Sequence, residues 1–262
     1  MPASAPSGRT AADGSPYPDR SLPTFEQDIR RMFAHIATHY EWFDHVASLG
    51  NDVLWRPRAL WDLERFRSKA PIRRILDVGC GTGELARLLA RRYPAARVVA
   101  ADFTRAMLEK AIAIPATVRL RHRLDVARAT ALHLPFADGS FDLVTNAFVL
   151  RNLADVPAAF REIRRVLSPD GSLLMLEITE PTSLAVARIF HAYFDRVVPT
   201  LGSLVQSAGP YRYLPDSLKA LPPRPALLEL LRGSGFSRAE AHAQSGGIVT
   251  AFLADGGGTQ SR

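Results

Sequence analysis

A glycine-rich turn at residues 79–83 constrains the fold of this chain more than any other feature. Residues 72–78 before it form a short, mostly apolar run, and Leu85, Leu88 and Leu89 after it recur at helical spacing. The hydrophobic period therefore changes from that of a buried strand to that of a helix across the turn. Glycines allow positive φ and leave space at the helix N-terminus, where unpaired N–H groups favour negative charge. The stretch predicts a ligand-binding strand–turn–helix unit.

The order of residues in this turn distinguishes between two kinds of ligand. A dinucleotide fold would show G-x-G-x-x-G, whereas here Asp77 is followed by Gly79, Gly81 and Gly83 at alternate positions. A second apolar run, about twenty residues later, ends at Asp102, where a carboxylate that binds a ribose is expected. The alternative is a structural turn with an unrelated surface aspartate. The agreement of turn, spacing and acid favours a nucleoside site.

The pattern D-x-G-x-G-x-G resembles the first motif of class I S-adenosylmethionine (SAM) methyltransferases. This resemblance implies a doubly wound, Rossmann-like α/β sheet and SAM as the cofactor, with Asp102 at its ribose. Thr130 stands before Leu-Pro-Phe, where that class often has an Asp or Asn for the adenine amine. The hydrogen bond to the adenine amine must then come from Thr130, from a backbone group or from Asp125. The cofactor-binding residues implied by the resemblance are Asp77, Gly79, Gly81, Thr82, Gly83, Asp102, Phe103, Thr130, Ala131 and Ala147.

The composition is that of one globular domain. The chain has 262 residues, 47% of them hydrophobic, which suits a single sizeable core. We predict a single domain at 23–254, with disordered tails at 1–22 and 255–262, where small and polar residues prevail. The lone Cys80 cannot form an internal disulfide, which suits a reducing compartment. No His/Cys cluster has metal-ligand spacing, so we expect no metal.

Lysine and arginine outnumber the acids 33 to 26, which gives a net charge of +7. This excess permits contact with anionic lipid or with nucleic acid. The arginines are dispersed and not interleaved with aromatics, which argues against nucleic acid as a partner. No stretch approaches the ~18 consecutive apolar residues of a membrane-spanning helix. Any membrane contact should therefore be peripheral.

Hydrophobic periodicity predicts the remaining elements. An amphipathic helix runs from Phe25 to Gly50, and a second helix has Pro57 in its first turn. Residues 23–70 then form a helical cap, which either packs on the core or covers the ligand crevice. Further along the chain we expect a helix from Thr104 to Ala111, strands near 117–124, 143–147 and 173–177, and a last strand at 247–253, antiparallel by resemblance.

Motifs after the fourth strand narrow the resemblance. They are similar to those of the quinone-biosynthesis C-methyltransferases that act on demethylmenaquinol and on polyprenyl benzoquinols, in segments 150–155, 165–171, 198–204 and 211–217. The resemblance implies methyl transfer from SAM to a ring carbon of a reduced, prenylated quinone, with residues 182–225 as a helical substrate cover. Because such a substrate lives in the bilayer, we expect a cytoplasmic protein peripherally associated with the inner face of the membrane. The sequence leaves open whether the chain is a monomer or a homodimer.

Arg151 directly follows the fourth strand, so it should stand at the carboxyl edge of the sheet, beside the transferring methyl. The plainer alternative is a surface salt bridge with Asp155. Arginine stays protonated, so the role implied by the resemblance is indirect: to lower the quinol pKa or to orient a water. Asn152 accompanies it, and Tyr211 or Tyr213 would hold the quinol oxygens. Rival readings are methylation of another small aromatic substrate or of RNA, and a non-catalytic SAM-binding module.

Overall fold

A computed structural model of the chain describes residues 9–10, 18–19, 22–36, 45, 48, 50–193, 217–218 and 221–257. Within these ranges, the central sheet consists of β1 Arg74–Val78, β2 Arg97–Asp102, β3 Leu124–Arg128, β4 Phe141–Ala147, β5 Leu167–Ile178, β6 Arg238–Gln244 and β7 Val249–Asp255. A separate antiparallel pair of two-residue strands joins Arg9–Thr10 to Pro18–Asp19.

The strand order is β3-β2-β1-β4-β5-β7-β6. Strands β1 to β5 are parallel, while β7 runs antiparallel to both β5 and β6. The chain leaves β1 for β2 on one side and returns to β4 on the other, which opens a crevice at the carboxyl end of β1. The doubly wound prediction is confirmed. The antiparallel last strand is also confirmed, although it begins at Val249 because Ser245–Gly247 forms a 3₁₀ turn.

Helices cover both faces of the sheet. They are α1 Leu22–Ile36, α2 Asp52–Phe66, α3 Glu84–Arg92, α4 Arg105–Ala113, α5 Pro115–Leu120, α6 Val156–Val166, α7 Leu184–Ala192 and α8 Arg224–Gly233. None of these helices combines the length and the hydropathy needed to cross a bilayer, a finding that applies to the described ranges.

One predicted element differs from the structure, and a second lies partly outside the described residues. The strand expected near 117–124 is wrong: helix α5 occupies its first half, a turn follows, and β3 begins at Leu124. Pro115 starts α5 at a position where its missing N–H costs nothing, and the β-branched Thr117 and Val118 misled the strand prediction. Helix α1 is described over Leu22–Ile36, the first part of the helix predicted from Phe25 to Gly50. The rest of its predicted apolar stripe, Tyr40, Phe43, Val46 and Leu49, lies outside the described residues.

The core has one layer on each face of the sheet. On one face, Ile75 of β1 packs with Leu63 of α2 and Leu89 of α3. On the other face, Leu76 of β1 packs with Phe160 of α6 and with the buried side of α8. Coverage of both faces explains why the parallel strands are almost continuously apolar. It also fixes the carboxyl end of β1, where the glycine turn begins.

Candidate active site

Two neighbouring cavities occupy the crevice at the carboxyl ends of β1, β2 and β4. The larger cavity has an empty volume of about 690 Å³ and the smaller one of about 370 Å³. They share a wall made of Gly79, Gly81, Ala147 and Phe148. The glycine turn therefore separates two adjoining compartments, and an elongated ligand could occupy both.

The backbone of the glycine turn allows a ligand to approach closely. Gly79 and Gly81 have φ of 67° and 54°, a region that side chains disfavour. A Cβ on Gly79 would lie 2.5 Å from a methyl carbon of Val149, whereas nothing lies within 4 Å of the corresponding position on Gly81. The Cys80 amide donates to the Ala101 carbonyl at 3.0 Å, which ties the turn to β2. The turn is thus fixed from behind and open toward the cavities.

Asp102 ends β2 and faces the larger cavity. Its carboxylate accepts hydrogen bonds from the Gly81 amide at 2.9 Å and from the Thr104 amide at 2.8 Å. Burial raises the pKa of Asp102, and these amide bonds act in the opposite direction. Each carboxylate oxygen keeps acceptor capacity beyond one amide. Asp102 can therefore hold the turn and still accept hydrogen bonds from ligand hydroxyl groups.

Asp77 lies in the wall of the smaller cavity and is 1% exposed. Its Oδ1 accepts a hydrogen bond from the Thr145 hydroxyl at 2.7 Å. Its Oδ2 is buried and has no hydrogen-bond partner among the described residues. Burial raises the pKa of Asp77 to about 7, against the Thr145 hydrogen bond and the charge of Arg56, which lower it. A buried, unpaired carboxylate oxygen is suited to accept a hydrogen bond from a cationic ligand group.

The other predicted cofactor residues divide between the two cavities. Phe103, Thr130 and Ala131 line the larger one, and Thr82 lines the smaller one. The Ala129 amide donates to the Asp102 carbonyl at 3.1 Å, so the loop after β3 runs beside the loop after β2. Two of the predicted cofactor candidates line neither cavity: Gly83, which precedes α3 with a φ of 82°, and Asp125, which is exposed on β3.

Arg151 lies in a 3₁₀ turn, Leu150–Asn152, and is buried. Its Nη1 donates to Glu177 Oε1 at 2.7 Å, and Glu177 is fully buried at the end of β5. Glu177 Oε2 accepts from the Leu150 amide at 2.9 Å. Burial raises the pKa of Glu177, and the charge of Arg151 opposes this shift. The alternative to a catalytic role, a surface salt bridge with Asp155, is wrong, because Asp155 instead caps α6 through the Ala158 amide at 2.8 Å.

Asn152 is the member of this turn that lines the larger cavity. Its Nδ2 donates to the Phe148 carbonyl at 3.2 Å. Its Oδ1 is buried without a hydrogen-bond partner in the part of the chain that the structure describes. The wall of the larger cavity thus contains a buried acceptor that no described residue satisfies. Tyr211 and Tyr213, the other predicted catalytic residues, lie outside the described residues.

A sequence model of the ubiE/COQ5 methyltransferase family matches residues 23–255. The chain belongs to this family. It is 44% identical over 207 residues to the demethylmenaquinone methyltransferase of Thermus thermophilus, covering 79% of this chain and 91% of that protein. It is also 36% identical to the ubiquinone/menaquinone biosynthesis C-methyltransferase UbiE of Syntrophotalea carbinolica, covering 86% of this chain and 93% of that protein.

The solved structures agree in fold with this ubiE/COQ5 family member. A SAM-dependent methyltransferase from Aquifex aeolicus superposes with a TM-score of 0.54 at 17% identity, over 75% of this chain and 88% of that chain. The chain is thus a SAM-dependent methyltransferase with a Rossmann-like sheet. Its site fits SAM: the unpaired oxygen of Asp77, the open face of Gly81 and the acceptor Asp102 all border the same crevice.

Sequence reasoning missed three residues of this site. Glu177 had a signal, since a charged residue that ends an apolar strand points to a buried partner. Arg56 of α2 lines the smaller cavity, and Glu26 of α1 lines the larger one together with Phe33. Neither Arg56 nor Glu26 belongs to an apolar stripe or to a sequence motif that would mark it as a site residue. Their positions place residues of both cap helices at the crevice.

Proposed function

We propose that this methyltransferase methylates a ring carbon of a reduced, prenylated quinone in respiratory quinone biosynthesis. The observation that carries the proposal is the 44% identity to a demethylmenaquinone methyltransferase, which extends over 91% of that relative. The relative from Syntrophotalea carbinolica is named for both ubiquinone and menaquinone biosynthesis. A benzoquinol is therefore the second candidate substrate. Demethylmenaquinol and its polyprenyl benzoquinol counterpart are the two substrates proposed.

The chemistry requires an electron-rich ring. When bound, SAM supplies an electrophilic methyl group on its sulfonium. Carbon is a weak nucleophile, so the ring must be the quinol or its anion, and the protein must orient it and stabilise negative charge on its oxygen. Phe33, Phe103 and Phe148 give the larger cavity an aromatic wall. This wall can hold the ring and exclude water.

Asn152 is the residue that we assign to the quinol oxygen. Its unpaired Oδ1 at the wall of the larger cavity can accept a hydrogen bond from a quinol hydroxyl. This bond orients the neutral quinol, since an acceptor does not stabilise an anionic oxygen. Arg151 acts behind it as a positioning residue, because its bond to Glu177, together with the Leu150 amide bond to the same carboxylate, fixes the turn that carries Asn152. We retain Tyr211 and Tyr213 as proposed ligands of the quinol oxygens.

We also propose that the protein associates peripherally with the inner face of the cytoplasmic membrane. A prenylated substrate resides in the bilayer, and α7 within the proposed cover exposes apolar side chains: Leu184 is 82% exposed and Ile189 is 72% exposed. Arg188 lies between them in sequence and is exposed too. Exposed apolar side chains next to a cation suit an anionic lipid surface.

Liposome flotation tests the membrane proposal. Wild type should float with anionic vesicles and dissociate as salt is raised. The double variant Leu184→Ser/Ile189→Ser should float less, whereas Ile112→Ser, a matched change at an exposed residue of α4, should not alter flotation. Absence of salt-sensitive flotation by wild type, with or without quinol, would refute peripheral association.

A substrate panel tests the proposed reaction. Purified protein is incubated with methyl-labelled SAM and, in separate anaerobic reactions, with reduced demethylmenaquinone, a reduced polyprenyl benzoquinone or bulk RNA. We expect label in one or both quinols and none in RNA. Label in RNA alone, or in no acceptor of the panel, would overturn the proposal. The comparison of the two quinols also identifies the preferred ring.

A further inference from the structure

In the described part of the chain, two residues other than glycine adopt the left-handed backbone region. Phe148, which follows β4, has a φ of 62°, and Ser245, in the turn between β6 and β7, has a φ of 48°. Side chains disfavour this region, and a bulky residue such as phenylalanine does so most. Such strain persists only where the surroundings enforce it, and it is concentrated at functional sites. Both residues therefore need a structural cause.

One buried side chain contacts both of these strained residues. Trp55 of α2 is 9% exposed, and its Nε1 donates to Ser245 Oγ at 2.8 Å. Its ring meets the Phe148 ring edge to face, with centroids 6.1 Å apart and planes at 65°. A buried indole N–H requires a partner, so the Ser245 hydroxyl fixes the plane of the indole. The indole in turn supports the Phe148 ring.

The Phe148 ring stands at the junction of the two cavities, because this residue lines both of them. The guanidinium carbons of Arg56 and Arg151 each lie 5.9 Å from the centroid of its ring. The next residue, Val149, packs so closely on the glycine turn that a Cβ on Gly79 would lie 2.5 Å from one of its methyl carbons. A ligand that spans both cavities has its middle at this junction. In SAM, the transferable methyl lies between the adenosine and the amino-acid end.

We propose that Trp55 is a positioning residue for methyl transfer. Its bond to Ser245 holds the Phe148 ring at the junction of the cavities, where this ring aligns the quinol with the methyl group. The proposal rests on the transfer to a quinol given above. Orientation contributes strongly to such reactions, and a small displacement of the reacting atoms lowers the rate. Trp55 lines neither cavity, so it acts through Phe148 and not by contact with a ligand.

Simple core packing is the competing explanation, since Trp55 belongs to the core layer that contains Leu63 and Ile75. The two explanations differ in the quantity that a small change affects. Loss of packing disturbs the whole site, so it weakens ligand binding along with turnover. Loss of positioning lowers kcat and leaves the affinity for the cofactor product close to that of wild type. Measuring both quantities on the same variants separates the two explanations.

The experiment removes the Trp55–Ser245 bond from either side in the full chain. Trp55→Phe keeps an aromatic ring, whereas Ser245→Gly keeps the indole, tolerates positive φ and covers the case in which Trp55→Phe does not fold. Each should lose about ten-fold in kcat with reduced quinone, the scale of one hydrogen bond, and bind S-adenosylhomocysteine in calorimetry within about two-fold of wild type. The double variant should lose no more than either single variant, because both remove the same bond. Trp61→Phe, at a tryptophan of the same helix that is 49% exposed, should retain kcat.

Fluorescence tests the same contact without a quinol. The chain has three tryptophans, so Trp42→Phe/Trp61→Phe leaves Trp55 as the reporter. Saturating S-adenosylhomocysteine should change its emission, and adding Ser245→Gly or Phe148→Leu should remove most of the change. Unchanged kcat in both single variants, a parallel loss of kcat and affinity, an additive loss in the double variant, or emission that does not respond to the ligand would overturn the proposal. Wild type that methylates neither quinol would overturn the quinol assignment, and the emission would then decide whether Trp55 acts on the site.

Discussion

Replacing Arg151 by methionine is the perturbation that most sharply separates structure from catalysis at this site. The substitution keeps a long, flexible side chain and removes the guanidinium that donates to Glu177 at 2.7 Å. Glu177 is fully buried, and its remaining hydrogen bonds come from the Leu150 and Ile178 amides. The variant therefore leaves a buried carboxylate without its counter-charge.

The expected cost follows from this geometry. Removing one partner of a buried ion pair typically destabilises a protein by about 3–5 kcal/mol, a large part of the roughly 5–15 kcal/mol that holds a domain folded. Burial already raises the pKa of Glu177, and loss of Arg151 should raise it further. Protonation then relieves the penalty, so the cost should shrink as pH falls, by up to about 1.4 kcal/mol per unit below the new pKa.

Urea denaturation measures this cost as the difference in unfolding free energy from wild type. It is carried out from about pH 5.5 to about pH 8, a range in which a carboxyl group with a raised pKa changes its protonation. Arg151→Met/Glu177→Gln should recover most of the stability, because the amide oxygen of glutamine can still accept from the Leu150 amide. Arg105→Met, which breaks an exposed pair with Glu109, should change stability by less than about 1 kcal/mol. A loss in Arg151→Met that is small and independent of pH would refute the buried-pair reasoning.

Two other variants of Arg151 measure its contribution to turnover. Under conditions where it is folded, Arg151→Ala should lose at least about 100-fold in kcat with reduced quinone, while SAM affinity changes little. Arg151→Lys should recover only part of kcat, because a point charge does not replace a planar fork. Near-wild-type turnover of folded Arg151→Ala would leave the arginine with a purely structural role.

Three further predictions follow from the turn and its two acids. Asp102→Ala should weaken S-adenosylhomocysteine by about 1–3 kcal/mol in calorimetry and also lower the unfolding free energy, because the Gly81 and Thr104 amides lose their acceptor; unchanged affinity would contradict the ribose assignment. Because burial raises the pKa of Asp77 from 3.8 to about 7, the stability of ligand-free protein should fall as pH rises from about 4 to about 7 and should then level off. Affinity for a cationic ligand group should increase over the same range, and Asp77→Asn should remove both trends. Gly79→Ala places its Cβ 2.5 Å from a methyl carbon of Val149 and should reduce both thermal stability and binding, while Gly233→Ala, with open space around it, should reduce neither.

Local patterns allowed much of this site to be predicted from the sequence. The glycine turn and Asp102 were found because their signals lie within one strand–turn–helix unit and at the end of the next strand. The pairing of Arg151 with Glu177 was not, because it joins residues 26 positions apart that only the β4–β5 register brings together. Local spacing offered Asp155 instead, which caps a helix.

The outer strand β6 shows a second limit of sequence reasoning. Its apolar positions are all alanines, such as Ala239 and Ala241, and alanine gives little strand signal. Pairing with β7 along its whole length makes it a strand. Arg56 and Glu26 illustrate a third limit, since both reach the crevice from cap helices whose placement depends on tertiary packing.

Anaerobic methyl transfer to a prenylated quinone tests the central claim most directly. Wild type is supplied with methyl-labelled SAM and with the same demethylated quinone in its reduced and its oxidised form, and the product is examined by mass spectrometry for a carbon-bound methyl. Turnover with the quinol, none with the quinone, and a methyl on the ring carbon are the results that the proposed chemistry predicts. A methyl bound to oxygen, or equal rates with the reduced and oxidised forms, would contradict it.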